Sequence, residues 1–166
     1  MSETDDTSSP VIQKVAALDV SSAVAVAGHP LHAMSVHFPI AFVAATLGCD
    51  VFYWWGGDPF WLRAGIWSSG IAFAAGVGAG LVGTAELLLV PGIRGRVASW
   101  THAVAAMTLI AICSMNWGMR LADETLVLPN GLLMSLLAMV FTGLAGWHGG
   151  KLVFDHGVGL IISEKD

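Results

Sequence analysis

Residues 64–90 read AGIWSSGIAFAAGVGAGLVGTAELLLV, and residues 91–96 read PGIRGR. The first stretch holds one ionisable side chain, Glu86, and is otherwise apolar or small. A helix crossing the hydrocarbon core of a bilayer needs about 20 apolar residues at about 1.5 Å rise each. Residues 64–90 satisfy that, and Pro91-Gly92 ends the run. Three more runs of the same kind lie on either side, over 31–54, 97–119 and 129–150. Gly56-Gly57-Asp58-Pro59 closes the first; Asp123-Glu124 and Pro129-Asn130-Gly131 separate the third from the fourth. Trp54, Trp55, Trp61, Trp100, Trp117 and Trp147 stand near run ends, where an aromatic belt belongs. The pattern predicts an all-α membrane protein, a four-transmembrane-helix up-down bundle over residues 29–160.

Composition agrees. Charged residues are 11% of the chain, against about 25% in soluble domains. Lipid must therefore cover the surface. The net charge of −5 sits mostly at the two ends and argues against a nucleic-acid partner. Cys49 and Cys113 lie inside apolar runs, which is no disulfide framework and no zinc spacing. Residues 1–28 form a polar N-terminal segment. Disorder is expected as far as Pro10, and a short surface helix over 11–27 from Val11, Val15 and Leu18. Residues 161–166 are a tail. The acidic start lacks the basic region of a cleavable signal peptide. Lys14, Arg94, Arg96, Lys151 and Lys165 fall on one side of the bundle, and only Arg63 and Arg120 on the other. The positive-inside rule then puts both termini in the cytoplasm of a bacterial inner (cell) membrane.

Alternation of chain direction gathers ionisable groups at the face that holds the termini. His37 lies about 9 Å inside the first helix, His102 about 7 Å inside the third, and Glu86 about 7 Å before Pro91. His29, His32, His148 and His156 flank the same boundary. His37 shares a helical face with Ala41, Ala44, Ala45 and Gly48; Glu86 shares one with Ala79 and Gly83; His102 shares one with Ala106, Cys113 and Asn116. Small residues mark helix contacts in membranes, so His37, Glu86 and His102 are expected to point inward. His148 lies off the small-residue face of its helix. Pro39 either kinks the first helix or marks its start. A weak duplication relates His37, Cys49 and Trp54 to His102, Cys113 and Trp117, and Gly80-Leu-Val-Gly83 to Gly143-Leu-Ala-Gly146. Two like hairpins would give this, and so would chance similarity between apolar segments.

Ionisable groups within a bilayer are costly and mark function. Two inward histidines on diagonal helices predict axial ligation of a b-type haem by His37 and His102, with Glu86 as hydrogen-bond partner to one imidazole. The same residues, with Glu86 and His156, form an alternative site for another metal. An interfacial histidine bonded to water or backbone is the plain alternative for any one of them.

Two motifs resemble a known family. His29-Pro30-Leu31 followed by Val36-His37-Phe38-Pro39-Ile40-Ala41, and Gly146-Trp147-His148-Gly149-Gly150-Lys151-Leu152-Val153-Phe154-Asp155-His156-Gly157-Val158-Gly159, are similar to the ends of the bacterial membrane proteins catalogued as domain of unknown function 2231. Asp50, Glu86, His102 and Arg120 also match that family's pattern, over about residues 29–160. The family usually has an apolar residue where this chain has His148, which implies no shared role there. Some members are joined to Rieske-type iron–sulfur domains, which implies a redox setting. The expected function is thus an integral membrane electron-transfer subunit with haem b, exchanging electrons with quinone or a partner redox protein. A cofactor-free membrane anchor for such a partner is the alternative, and a metal-binding or transport protein a weaker one. No nucleophile–base pair or phosphate loop points to a hydrolase or an NTPase.

Overall fold

The computed structural model describes residues 17–159. Expectations for residues 1–16 and for the C-terminal tail lie outside the described residues. A two-residue antiparallel ribbon, β1 (Ala25–Val26) with β2 (His29–Pro30), opens the domain. It turns through Ala27 and Gly28, both at positive φ. Then come α1 (Leu31–Ser35), α2 (His37–Gly56), α3 (Pro59–Leu89), α4 (Pro91–Arg94), α5 (Val97–Ala122), a 3-10 turn (Glu124–Val127) and α6 (Asn130–Phe154). Four helical segments are long and apolar enough to cross a membrane: Leu31–Gly56, Pro59–Leu89, Val97–Ala122 and Asn130–Phe154. The four-helix membrane bundle read from the sequence is therefore the fold.

The helix ends follow local chemistry. Gly57 caps α2 in the left-handed conformation that glycine adopts without penalty. The Asp58 carboxylate accepts the Phe60 N–H, and Pro59 fills the first helical position. That cap starts α3 five residues earlier than the hydropathy run at 64. The first span is interrupted at Val36. Pro39 stands in the first turn of α2, and it has no N–H to return to the carbonyl of Ser35, the residue before the break.

Helix α2 packs against α3 and α6, and α5 against α6 and α3, so α2 faces α5 across a diagonal. The central layer is Val43, Ala72, Ile112, Cys113 and Ala138. The stripes expected on α3, α5 and α6 are inward: Gly76 and Gly80 lie against Ile110, while Asn116, Ser135, Ala138, Thr142 and Ala145 are buried. The stripe expected on the first helix is not. Pro39, Val43, Thr46, Cys49 and Asp50 form its buried face, and Ala41, Ala44 and Ala45 face outward.

Residues 18–30 correct the expected surface helix. The described part of that stretch is turn, extended chain and ribbon. This strap crosses the end of the bundle, with Val20 inserted among Leu87, Val90 and Ile93. Its backbone passes so close to Gly92 that a Cβ there has no room. The Val20 carbonyl accepts the Gly159 N–H at 2.8 Å, tying strap to C-terminal segment.

Candidate functional site

Two polar constructions occupy opposite ends of the bundle. The first, at the termini face, is a pair of histidines. The His32 Nδ1–H donates to the Ala79 carbonyl of α3 at 3.0 Å, and the His102 Nδ1–H donates to the Ala145 carbonyl of α6 at 3.0 Å. A carbonyl can only accept, so in the neutral ring the proton sits on Nδ1 and Nε2 carries the free lone pair. The two ring centroids are 6.1 Å apart with planes at 78°. Each ring lies on a glycine. A Cβ at Gly83 would come within 2.6 Å of His32 Cε1, and one at Gly149 within 3.2 Å of His102 Cε1.

The pair borders a cavity of about 530 Å³ between the helices. Its walls are mostly apolar and small, with Gly76, Ala79, Gly80 and Gly83 on α3 facing Ala106 on α5 and Ala145, Gly146 and Gly149 on α6. Cofactor sites commonly enclose about 300–1,000 Å³. Among the described residues, Ser99 Oγ is the one buried side-chain polar atom without a hydrogen-bond partner, and Ser99 lines this cavity.

The structure redistributes the residues expected at this site. His102 is inward and half-buried, but its neighbour is His32 rather than His37. His37 is exposed at the start of α2, its Nδ1 3.3 Å from the Met34 carbonyl. The reason is the face α2 buries: it runs through Pro39, Val43, Thr46 and Cys49, so the alanines aligned with His37 mark the outer side of the helix. Glu86 is buried but serves the strap. Its carboxylate accepts hydrogen bonds from Ser22 Oγ–H, from Ala23 N–H at 2.9 Å and from Val24 N–H at 3.0 Å. It is therefore no partner to either imidazole. Among the described residues no group of three or more His, Cys, Asp or Glu converges, so the alternative metal site of His37, His102, Glu86 and His156 does not assemble.

The second construction is an ion pair at the opposite face from the histidines and Glu86. Near the far ends of α2 and α5, Arg120 Nη1 and Nη2 donate to the two carboxylate oxygens of Asp50, each at 2.7 Å. Arg120 Nε donates to Asn116 Oδ1 at 2.9 Å, and Ser135 Oγ–H donates to Asp50 Oδ2 at 2.6 Å. Both charged residues are 1% exposed. Gly65 and Gly131 flank the guanidinium, each leaving a Cβ only 3.1 Å from it.

These contacts also re-register the duplication. His32 corresponds to His102 and Asp50 to Arg120, both 70 residues apart; Gly65, Ser69, Ala72, Ala79 and Gly83 correspond to Gly131, Ser135, Ala138, Ala145 and Gly149, all 66 apart. Two parallel hairpins about an axis along the membrane normal account for the pairs. The paired positions are alike at the histidines and opposite in sign at Asp50 and Arg120.

A family model described as "Predicted membrane protein (DUF2231)" matches residues 28–161. No curated protein and no solved structure matches the chain.

Proposed function

The chain belongs to the DUF2231 family of predicted membrane proteins, and on that premise we propose that it is an electron-transfer subunit binding b-type haem between His32 and His102. The observation that carries the reading is the imidazole pair. Two metal–nitrogen bonds of about 2.0–2.1 Å, plus the distance from each nitrogen to its ring centre, separate the centroids of two axial imidazoles by roughly 6 Å. The rings stand 6.1 Å apart. Histidines that ligate metals almost always donate their other N–H to a carboxylate, carbonyl or water, and both rings do so. The glycine-lined cavity suits a flat macrocycle, and the approximate two-fold of the hairpins suits a ligand with two similar faces.

A bound haem supplies a one-electron couple; the protein positions and tunes it. The Ala79 and Ala145 carbonyls fix both rings and raise their basicity. The apolar walls exclude water, and the strap covers the termini side. Electrons would be exchanged with a membrane quinone or a partner redox protein on that side.

Protein produced with ample haem supply and purified in detergent should show low-spin b-type absorption bands on reduction. Protein made this way without such bands points instead to a cofactor-free anchor for a redox partner.

A further inference from the structure

Ser99 stands in the first turn of α5, one turn before His102 and so about 4.5 Å nearer the membrane surface. It is 3% exposed, lines the cavity, and its hydroxyl has no partner among the described residues. A buried hydroxyl without a hydrogen bond is unfavourable, so Ser99 is a point on the wall where a polar atom entering the cavity would be stabilised. The Ser99 N–H donates to the Arg96 carbonyl at 3.1 Å, but the N–H groups of Val97 and Ala98 have no intrahelical partner, and the helix dipole is positive there. No side chain caps this end. Arg96, the residue preceding α5, turns its Nε to the Gly92 carbonyl and adds positive charge beside it. The acid on the wall, Glu86, is already bonded to the strap. A negatively charged oxygen is the group this corner accepts.

We propose that Ser99 and the start of α5 bind a carboxylate arm of the cavity ligand, a haem propionate on the haem reading, which this inference rests on. The carboxylate would accept from Ser99 Oγ–H and point to the membrane surface, fixing the macrocycle's rotation between the two imidazoles. Ser99 is thus a positioning residue and not an iron ligand.

The test is a double cycle in detergent-solubilised full-length protein, stripped of any bound porphyrin. Wild type, Ser99→Ala and Ser99→Thr are titrated with iron protoporphyrin IX and with its dimethyl ester, which lacks both carboxylates. A hydrogen bond to a charged group predicts that Ser99→Ala binds the free acid about 10- to 100-fold more weakly than wild type. The ester should bind wild type and Ser99→Ala alike, and Ser99→Thr should retain affinity for the free acid. Ligand-free Ser99→Ala should be at least as stable as wild type, because an unbonded buried hydroxyl is gone. Equal affinity of wild type and Ser99→Ala for the free acid, or the same loss with both porphyrins, overturns the carboxylate site while leaving the haem reading in place. Failure of wild type to bind either porphyrin overturns both.

Discussion

Asp50→Asn leaves the Arg120 guanidinium charged inside the bundle with no counter-ion. The carboxylate it replaces accepts from Nη1, Nη2 and Ser135 Oγ at 2.7, 2.7 and 2.6 Å. An asparagine keeps one acceptor oxygen and turns an NH₂ toward groups that already donate. Neutral hydrogen bonds are each worth about 1 kcal/mol, so lost bonds alone would be a modest effect. Stranding a buried charge is larger, about 3–5 kcal/mol, and at 1% exposure for both residues there is no water to soften it. The prediction is a loss in that range, measured by denaturant unfolding in mixed micelles. Asp50→Leu combined with Arg120→Met removes both charges and should cost far less than the two single changes together. The reasoning fails if Asp50→Asn costs under about 1 kcal/mol, or if the double variant is additive.

Other outcomes follow from single contacts. Gly83→Ala should displace the His32 ring, since its Cβ would sit 2.6 Å from Cε1, and cost about 1–3 kcal/mol; Gly78→Ala, with nothing within 4 Å, should be tolerated, and equal thermal stability of the two variants would contradict the ring's placement. Glu86→Ala removes the acceptor of Ser22, Ala23 and Val24, so proteolysis within residues 17–30 should accelerate; an unchanged cleavage rate would mean the strap is held elsewhere. Reporter fusions at residues 58, 94 and 125 should give a cytoplasmic signal only at 94, and an external signal there would reverse the topology.

The four spans were legible because lipid imposes a long, charge-poor run on each, and the small-residue stripes of α3, α5 and α6 were legible because those helices are regular. The first span was not. Its small residues lie on the side away from the bundle, so a face drawn through His37, Ala41 and Ala44 is the outer one. His32, at the boundary of the span, is its inward histidine. Asp50 and Arg120 carry no local signal, being 70 residues apart. Their hint was global: one acid and one base stand near the same end of two helices otherwise empty of ionised groups, and such charges pair. Ser99 could not have been found from sequence, because an unbonded hydroxyl is visible only when its neighbours are placed.

The central claim is that His32 and His102 share one iron. Electron paramagnetic resonance of the oxidised wild type, His32→Ala, His102→Ala and His37→Ala tests it most directly. Wild type and His37→Ala should give the same low-spin ferric signal, strongly anisotropic because the imidazole planes cross at 78°. His32→Ala and His102→Ala should each lose it, becoming high-spin or haem-free. A low-spin signal that survives His32→Ala and disappears in His37→Ala would contradict the account.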